Sequence, residues 1–268
     1  MRWASTTAVD RFLAAAGRFL ESDPVGNNAL LTEAHFCSRL PSAQVGASFG
    51  WRVQESGAID AAYVDLPDHA LICSPMSPAA AAELPGAVPG AAWLGVDARD
   101  VEAVTDAFAA HGTVLDPVAR LSLLRLTAPV RSRVRPGGRP RPAGPADLPV
   151  LRDWFQQFRQ RHPDDRTHVA FVVDQPLQDG GLTVWEDQGA VVAMASRTPR
   201  VAGMVRLGLA FQPSEGTGYA EAAFEAACAE AARSAEIVLV LSGSDDSTAA
   251  YNAVGFTKVG DRVVLLEP

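Results

Sequence analysis

The feature that most constrains this chain is a spacing that occurs twice. Phe49-Gly50-Trp51 is followed by Gly57, Ala58, Ile59 and Ala61, and then by Pro67. Val184-Trp185 is followed by Gly189, Ala190, Val191 and Ala193, and then by Pro199. In both stretches the proline comes ten residues after the glycine. Each reads as a β-hairpin, with apolar runs on either side of a glycine-bearing turn, stopped by a residue that cannot donate to a ladder. Ahead of each lies an amphipathic helix. Phe12, Leu13, Phe19 and Leu20 mark the first, and Leu148, Leu151, Trp154, Phe155 and Phe158 mark the second. Two copies of a helix-plus-hairpin unit point to a duplicated fold, and 268 residues suffice for two domains.

The composition shifts between the copies. From Thr127 to Pro149 the chain carries Arg131, Arg133, Arg135, Arg139 and Arg141 among prolines and glycines. Proline removes donors and disfavours helix, so this stretch reads as a linker running into at most an edge strand. Its arginines read first as a solvated connector, and second as a phosphate- or partner-binding patch. The expected domains are therefore 1–127 and 128–268. The second continues as helix, strand, strand, strand, helix, strand, helix, strand. Val205, Leu207, Leu209 and Phe211 alternate along its third strand. Tyr219 to Ala235 sets Ala220, Ala223, Phe224, Ala227, Cys228 and Ala231 on one helix face. Ile237 to Leu241 is a continuous apolar run, the pattern of a strand covered on both faces. A short helix, Ser247 to Val254, ends at Gly255, and Val259 to Leu266 returns as a last strand.

Hydrophobic residues make up 48% of the chain and charged residues 20%, enough for packed cores. A net charge of −8 argues against non-specific nucleic-acid or anionic-membrane binding. Three cysteines, Cys37, Cys73 and Cys228, are too few and too scattered for a disulfide framework or a zinc site. There is no apolar run near the roughly 20 residues of a membrane span, and the first residues do not form a signal-peptide block. The expectation is a cytoplasmic protein.

The sharpest local motif is Pro213-Ser214-Glu215-Gly216-Thr217-Gly218-Tyr219-Ala220, between a strand and a helix. Small residues there let the chain turn tightly and leave N–H groups of the helix N-terminus open to a phosphate. It lacks the third glycine of a dinucleotide fingerprint and the Gly-Lys-Ser/Thr of a Walker loop. From about Pro140 to Asp261 the chain resembles the GNAT superfamily of N-acyltransferases. There a Gln/Arg-x-x-Gly-x-Gly/Ala loop holds the pyrophosphate of acyl-CoA, and Glu215-Gly216-Thr217-Gly218-Tyr219-Ala220 corresponds to it. Glu215 is acidic where the pattern has Gln or Arg. The run from Asp246 through Tyr251 to Gly255-Phe256 resembles the family's closing segment, with Ser244 in place of its usual Asn. The first half resembles the degenerate amino-terminal domain of two-domain members. The fold this implies is α/β: two GNAT-like units, each a mixed, mostly antiparallel sheet flanked by helices.

The resemblance implies a function. The donor would be acyl-CoA or another phosphopantetheine thioester, with an acyl carrier protein as the alternative carrier. Arg131 to Arg141 would offer an acidic carrier a complementary patch. The acceptor would be the amine of a small molecule, and no metal is called for. Tyr251 would protonate the leaving thiolate, as a phenol with pKa near 10 can without prior ionisation. Backbone groups of Leu209, Ala210 and Phe211 would pair with the pantetheine arm. No counterpart of Gly216-Thr217-Gly218 exists in the first half, which implies one donor site per chain. For a general base, Glu186, Asp187, His162, His168, Ser242 and Asp245 all stay open, and a neutral amine needs none of them. His162 and His168 share no helix or hairpin face that would make them metal ligands. The rival reading is a non-catalytic GNAT-fold binding or scaffold module, motivated by the departures at Glu215 and Ser244.

Overall fold

A computed structural model describes residues 2–39, 46–131, 136–163, 167–214 and 216–268. The chain divides into two compact units, Met1–Leu123 with Gly260–Pro268, and Leu124–Val259. The first carries strands β1 (Arg2–Thr6), β2 (Ser48–Val53), β3 (Ile59–Asp65), β4 (Leu71–Cys73) and β5 (Trp93–Asp97). Its helices are α1 (Val9–Ser22), α2 (Asn28–Ser38), α3 (Pro78–Ala87) and α4 (Val101–Ala110). Strand β6 (Asp116–Leu126) leads into the second unit. There follow β7 (Arg139–Pro142), α5 (Leu148–Arg161), α6 (Gln175–Gln178), β8 (Leu182–Asp187), β9 (Ala190–Arg197) and β10 (Met204–Phe211). Next come α7 (Tyr219–Ser234), β11 (Ile237–Ser242) and α8 (Asp245–Val254), and β12 (Phe256–Leu266) leads back to the first unit.

Strand neighbours run β1-β2-β3-β4-β5-β12 in the first unit and β7-β8-β9-β10-β11 in the second. In each, three antiparallel pairs are followed by one parallel pair, β4 with β5 and β10 with β11. Both hairpins carry a register irregularity in their first strand, at Arg52/Val53 and at Trp185/Glu186. The sequence repeat is thus a repeat of strand order, and both sheets are mixed and mostly antiparallel.

Three expectations change. The last strand does not stay with residues 128–259: Arg262–Leu266 pair antiparallel with Trp93–Asp97, and Val263 and Leu265 are buried beside Leu94 and Val96. That pairing covers the edge β5 would otherwise expose, and the division falls after Leu123. The stretch between α5 and β8, where the sequence marked no element, holds a π-helical turn at Ala170–Asp174 that runs into α6. Pro176 and the unbroken apolar run Phe171-Val172-Val173 hid it, since neither shows a helical period. Finally, β7 is the edge strand expected, but Arg141 on it is not a solvated connector. Its Nη1 and Nη2 donate to Asp147 at 2.7 and 2.9 Å, and its Nε donates to Glu186 at 2.7 Å. Arg139 stays 79% exposed, and Arg133 and Arg135 lie outside the described residues.

The core of the second unit has two layers. On one face of the sheet, Ala223, Phe224, Ala227, Cys228 and Ala231 of α7 pack on Ala193, Ala195, Val205, Val238 and Val240. Alanines keep the helix backbone near the strands, which sets its N-terminus beside the end of β10. On the other face, Leu151, Trp154 and Phe155 of α5 pack on Val184, Met194 and Phe211. Among the described residues no helix is long and apolar enough to cross a membrane.

Candidate functional site

The site begins with a defect in β10. Among the described residues this strand pairs with β11 only at Met204, Val205 and Arg206, opposite Ile237, Val238 and Leu239. Against β9 its register then slips: Leu207 faces Arg197, but Ala210 faces Ala195. Three steps of β10 therefore match two of β9, a β-bulge. Gly208 lies within it, where a Cβ would stand 2.5 Å from Ser196 Oγ. An extra residue exchanges the two faces of a strand. Val205 and Leu207 pack under α7, yet Leu209 and Phe211 pack on the α5 side, and Ala210 turns toward α7. The regular alternation read from the sequence breaks for that reason. Among the described residues, β10 beyond Arg206 has no pairing with β11.

A cleft of about 520 Å³ follows, lined by Ala210, by Ala220, Glu221, Phe224 and Glu225 of α7, and by Ser247, Ala250, Tyr251 and Val254 of α8. Tyr251 packs against Phe224 and Phe256, with ring centroids 5.1 and 6.0 Å away. Among the described residues its hydroxyl has no hydrogen-bond partner. Burial pushes the phenol above its ordinary pKa, so it stays protonated at neutral pH.

The loop above the cleft leads into α7 through Gly218, whose φ of 74° is left-handed. Gln212 shapes it: its Oε1 accepts the Ala220 N–H at 2.7 Å and the Thr217 hydroxyl at 3.2 Å. One donor of the helix N-terminus is thus met by a side-chain oxygen. The Tyr219 hydroxyl donates to Asp187 Oδ2 at 2.7 Å, which raises its pKa and ties α7 to the β8–β9 hairpin. Gly216 also has positive φ, and Glu215 lies outside the described residues.

Ser244 caps α8, accepting the Ser247 N–H at 3.2 Å. Ser247 also bonds to Ser242, and Thr248 donates to the Ser242 hydroxyl at 2.9 Å. This hydroxyl group fixes the start of the helix that carries Tyr251. None of the open base candidates lines the cleft. Glu186 is paired with Arg141, and Asp187 accepts from Tyr219. His162 lies against Phe158 with the rings tilted and their centroids 4.7 Å apart, and His168 Nδ1 accepts the Ala170 N–H at 3.2 Å. Ser242 belongs to the hydroxyl group, and Asp245 is exposed at the start of α8. Of the residues named from sequence as donor-site candidates, the cleft thus joins Ala210, Ala220 and Tyr251. It adds Glu221, Phe224, Glu225, Ser247, Ala250 and Val254. Among the described residues, no three His, Cys, Asp or Glu side chains are placed to hold a metal ion.

The matching junction of the first unit is built differently. There β4 pairs with β5 at Leu71 and Ile72. The buried Arg262 then donates to the carbonyls of Cys73 at 2.8 Å and Gly95 at 3.0 Å. A guanidinium thus bridges these strands where their backbone pairing ends.

The fold recurs in solved structures. A GCN5-related N-acetyltransferase from Sphaerobacter thermophilus aligns with a TM-score of 0.59 at 14% identity, over 99% of this chain and 96% of its own. A GNAT-family acetyltransferase from Colwellia psychrerythraea aligns with a TM-score of 0.58 at 10% identity, over 100% and 99%. A tandem GNAT protein from the clavulanic acid biosynthesis pathway aligns with a TM-score of 0.55 at 13% identity, over 98% of each chain. No family model and no curated protein matches the sequence. The chain has the GNAT fold over its whole length.

Proposed function

Since the chain has the GNAT fold, we propose that it is an N-acyltransferase that moves an acyl group from a phosphopantetheine thioester to an amine. The observation that carries this reading is the bulged end of β10. Its edge is unpaired toward β11 among the described residues, and Ala210 on it shares one cleft with Tyr251 and with Ala220 of the loop. In this reading the amides of the pantetheine arm pair with the backbone of Leu209, Ala210 and Phe211, as an added strand would. The donor's phosphates meet Gly216, Thr217 and Gly218 and the first turn of α7, where Gln212 gives up the Ala220 N–H.

The chemistry then needs little else. The neutral amine attacks the thioester carbonyl carbon, the C–N bond forms, and the carbon–sulfur bond of the tetrahedral adduct breaks. The departing thiolate takes the Tyr251 proton, the tyrosinate regains one from solvent, and the new ammonium centre gives its own to water. A buried phenol held protonated suits the acid role.

Acyl-CoA and an acyl carrier protein share the arm that this reading places. The acidic side chains of Glu221 and Glu225 in the cleft favour a donor with fewer phosphates. Arg141, bound to Asp147 and Glu186, drops out of the patch that would dock a carrier. The rival binding-module reading loses one of its two supports, because Ser244 serves as the cap that holds the Tyr251 helix. The test is thiol release from acetyl-CoA, and from acyl carrier proteins, across a panel of amines. Acceptor-dependent release is expected. Tight CoA binding with no release for any pair would favour the module.

A further inference from the structure

In sequence the loop at the start of α7 carries Glu215 where the resemblance expects Gln or Arg, and the cleft that Ala220 lines is also lined by Glu221 and Glu225. Among the described residues no Lys or Arg lines that cleft. A site for a polyphosphorylated donor needs a cation from elsewhere, and α5 ends on one. Arg161, its last residue, donates from Nη2 to the carbonyl of Pro213 at 2.8 Å, where the chain leaves β10 for the loop. Its Cζ lies 5.1 Å from the centroid of the Phe211 ring. That ring is itself held edge-on to Phe158, with centroids 6.3 Å apart. An arginine stacked on a buried ring and tied to a carbonyl has surrendered much of its rotamer freedom beforehand.

What the tie leaves unused matters most. A guanidinium has five N–H donors in a fixed fork, and Pro213 takes one. The side chain is exposed, and among the described residues it makes no ion pair. The neighbouring cations are committed otherwise: Arg152 to Asp174, Arg159 to the Thr167 carbonyl, Arg141 to Asp147 and Glu186. We propose that Arg161 is a donor-binding residue, a pre-set cation for a phosphate group of the donor beside the start of the α7 loop. This rests on the reading of the α7 loop as a phosphate site.

The test is calorimetric titration of CoA and of pantetheine, which has no phosphate, into wild type, Arg161→Gln and Arg161→Lys. For Arg161→Gln the CoA dissociation constant should rise about tenfold, the loss of one charge-assisted contact. Pantetheine should bind as in wild type. Arg161→Lys should recover part of the loss, as a point charge without the fork. In wild type, raising salt should weaken CoA binding more steeply than in Arg161→Gln. Equal weakening of both ligands would make Arg161 a brace for Pro213 and overturn the proposal. So would unchanged CoA affinity in Arg161→Gln while wild type still prefers CoA to pantetheine, leaving the phosphate loop intact. A wild type with no preference for CoA would remove the phosphate loop and this inference together.

Discussion

Gly218 shows how much one residue holds in this site. Its φ of 74° suits glycine, and the first turn of α7 begins directly after it. Valine there meets two costs: a left-handed backbone that a β-branched residue resists, and, in the proposed reading, a β-carbon where the donor's phosphate would approach. Gly218→Val should lower thermal stability modestly and raise the donor KM at least about tenfold, a loss of ~1.4 kcal/mol. Circular dichroism and steady-state kinetics check the two parts, and an unchanged KM in a folded variant would move the phosphates elsewhere. At this scale the sequence told much. Tyr251 was legible from Gly255-Phe256 behind it, and Ala220 from the glycines ahead. Glu225 was not, because a Glu four residues after Glu221 on an Ala-rich helix reads as solvent face. Only α8, brought alongside by the strand order, encloses it in a cleft, and Glu225 ends 7% exposed. Arg161 was hidden by distance along the chain from Pro213.

Among elements, the hairpins and the α7 helix were legible because their periods are clean. The end of β10 was not, since Leu207, Leu209 and Phe211 alternate perfectly in sequence while the bulge at Gly208 reverses their faces. A register slip has no signature in a polarity pattern. The β7 strand misled in another way: its arginines look like solvated charge, and Arg141 is the pin between β7, β8 and the start of α5. The Arg141 guanidinium holds the Asp147 carboxyl below its usual range. A lowered folded pKa means stability that is present above the ordinary carboxylate pKa of about 3.9 and is lost as pH falls through the folded value. Arg141→Ala should therefore destabilise the protein by about 1–3 kcal/mol at pH 7, leaving the buried Asp147 with its Gly144 N–H. The gap to wild type should shrink below about pH 4. Urea midpoints at pH 7 and pH 3 measure it, and a gap that stays constant would mean that the ion pair contributes nothing.

For the whole molecule, the repeated strand order raises the question of how many donors one chain holds. The two units share three antiparallel pairs and one parallel pair, and among the described residues both parallel pairs stop short, at Ile72 opposite Gly95 and at Arg206 opposite Leu239. In the first, Arg262 bridges Cys73 and Gly95. Calorimetry with CoA should give one site per chain, and two equivalent sites would contradict this division of roles. The duplication was legible from the Gly-to-Pro spacing, whereas the return of β12 to the first unit was not, because a strand's own pattern does not say which edge it joins. In the proposed reaction Tyr251 supplies a proton to the leaving thiolate. Tyr251→Phe keeps the ring between Phe224 and Phe256 and deletes one hydroxyl. With the acceptor that thiol release identifies, kcat for the variant should fall roughly 10²–10⁴-fold while CoA binds as in wild type. A fall smaller than about threefold, ~0.6 kcal/mol in the barrier, would contradict it.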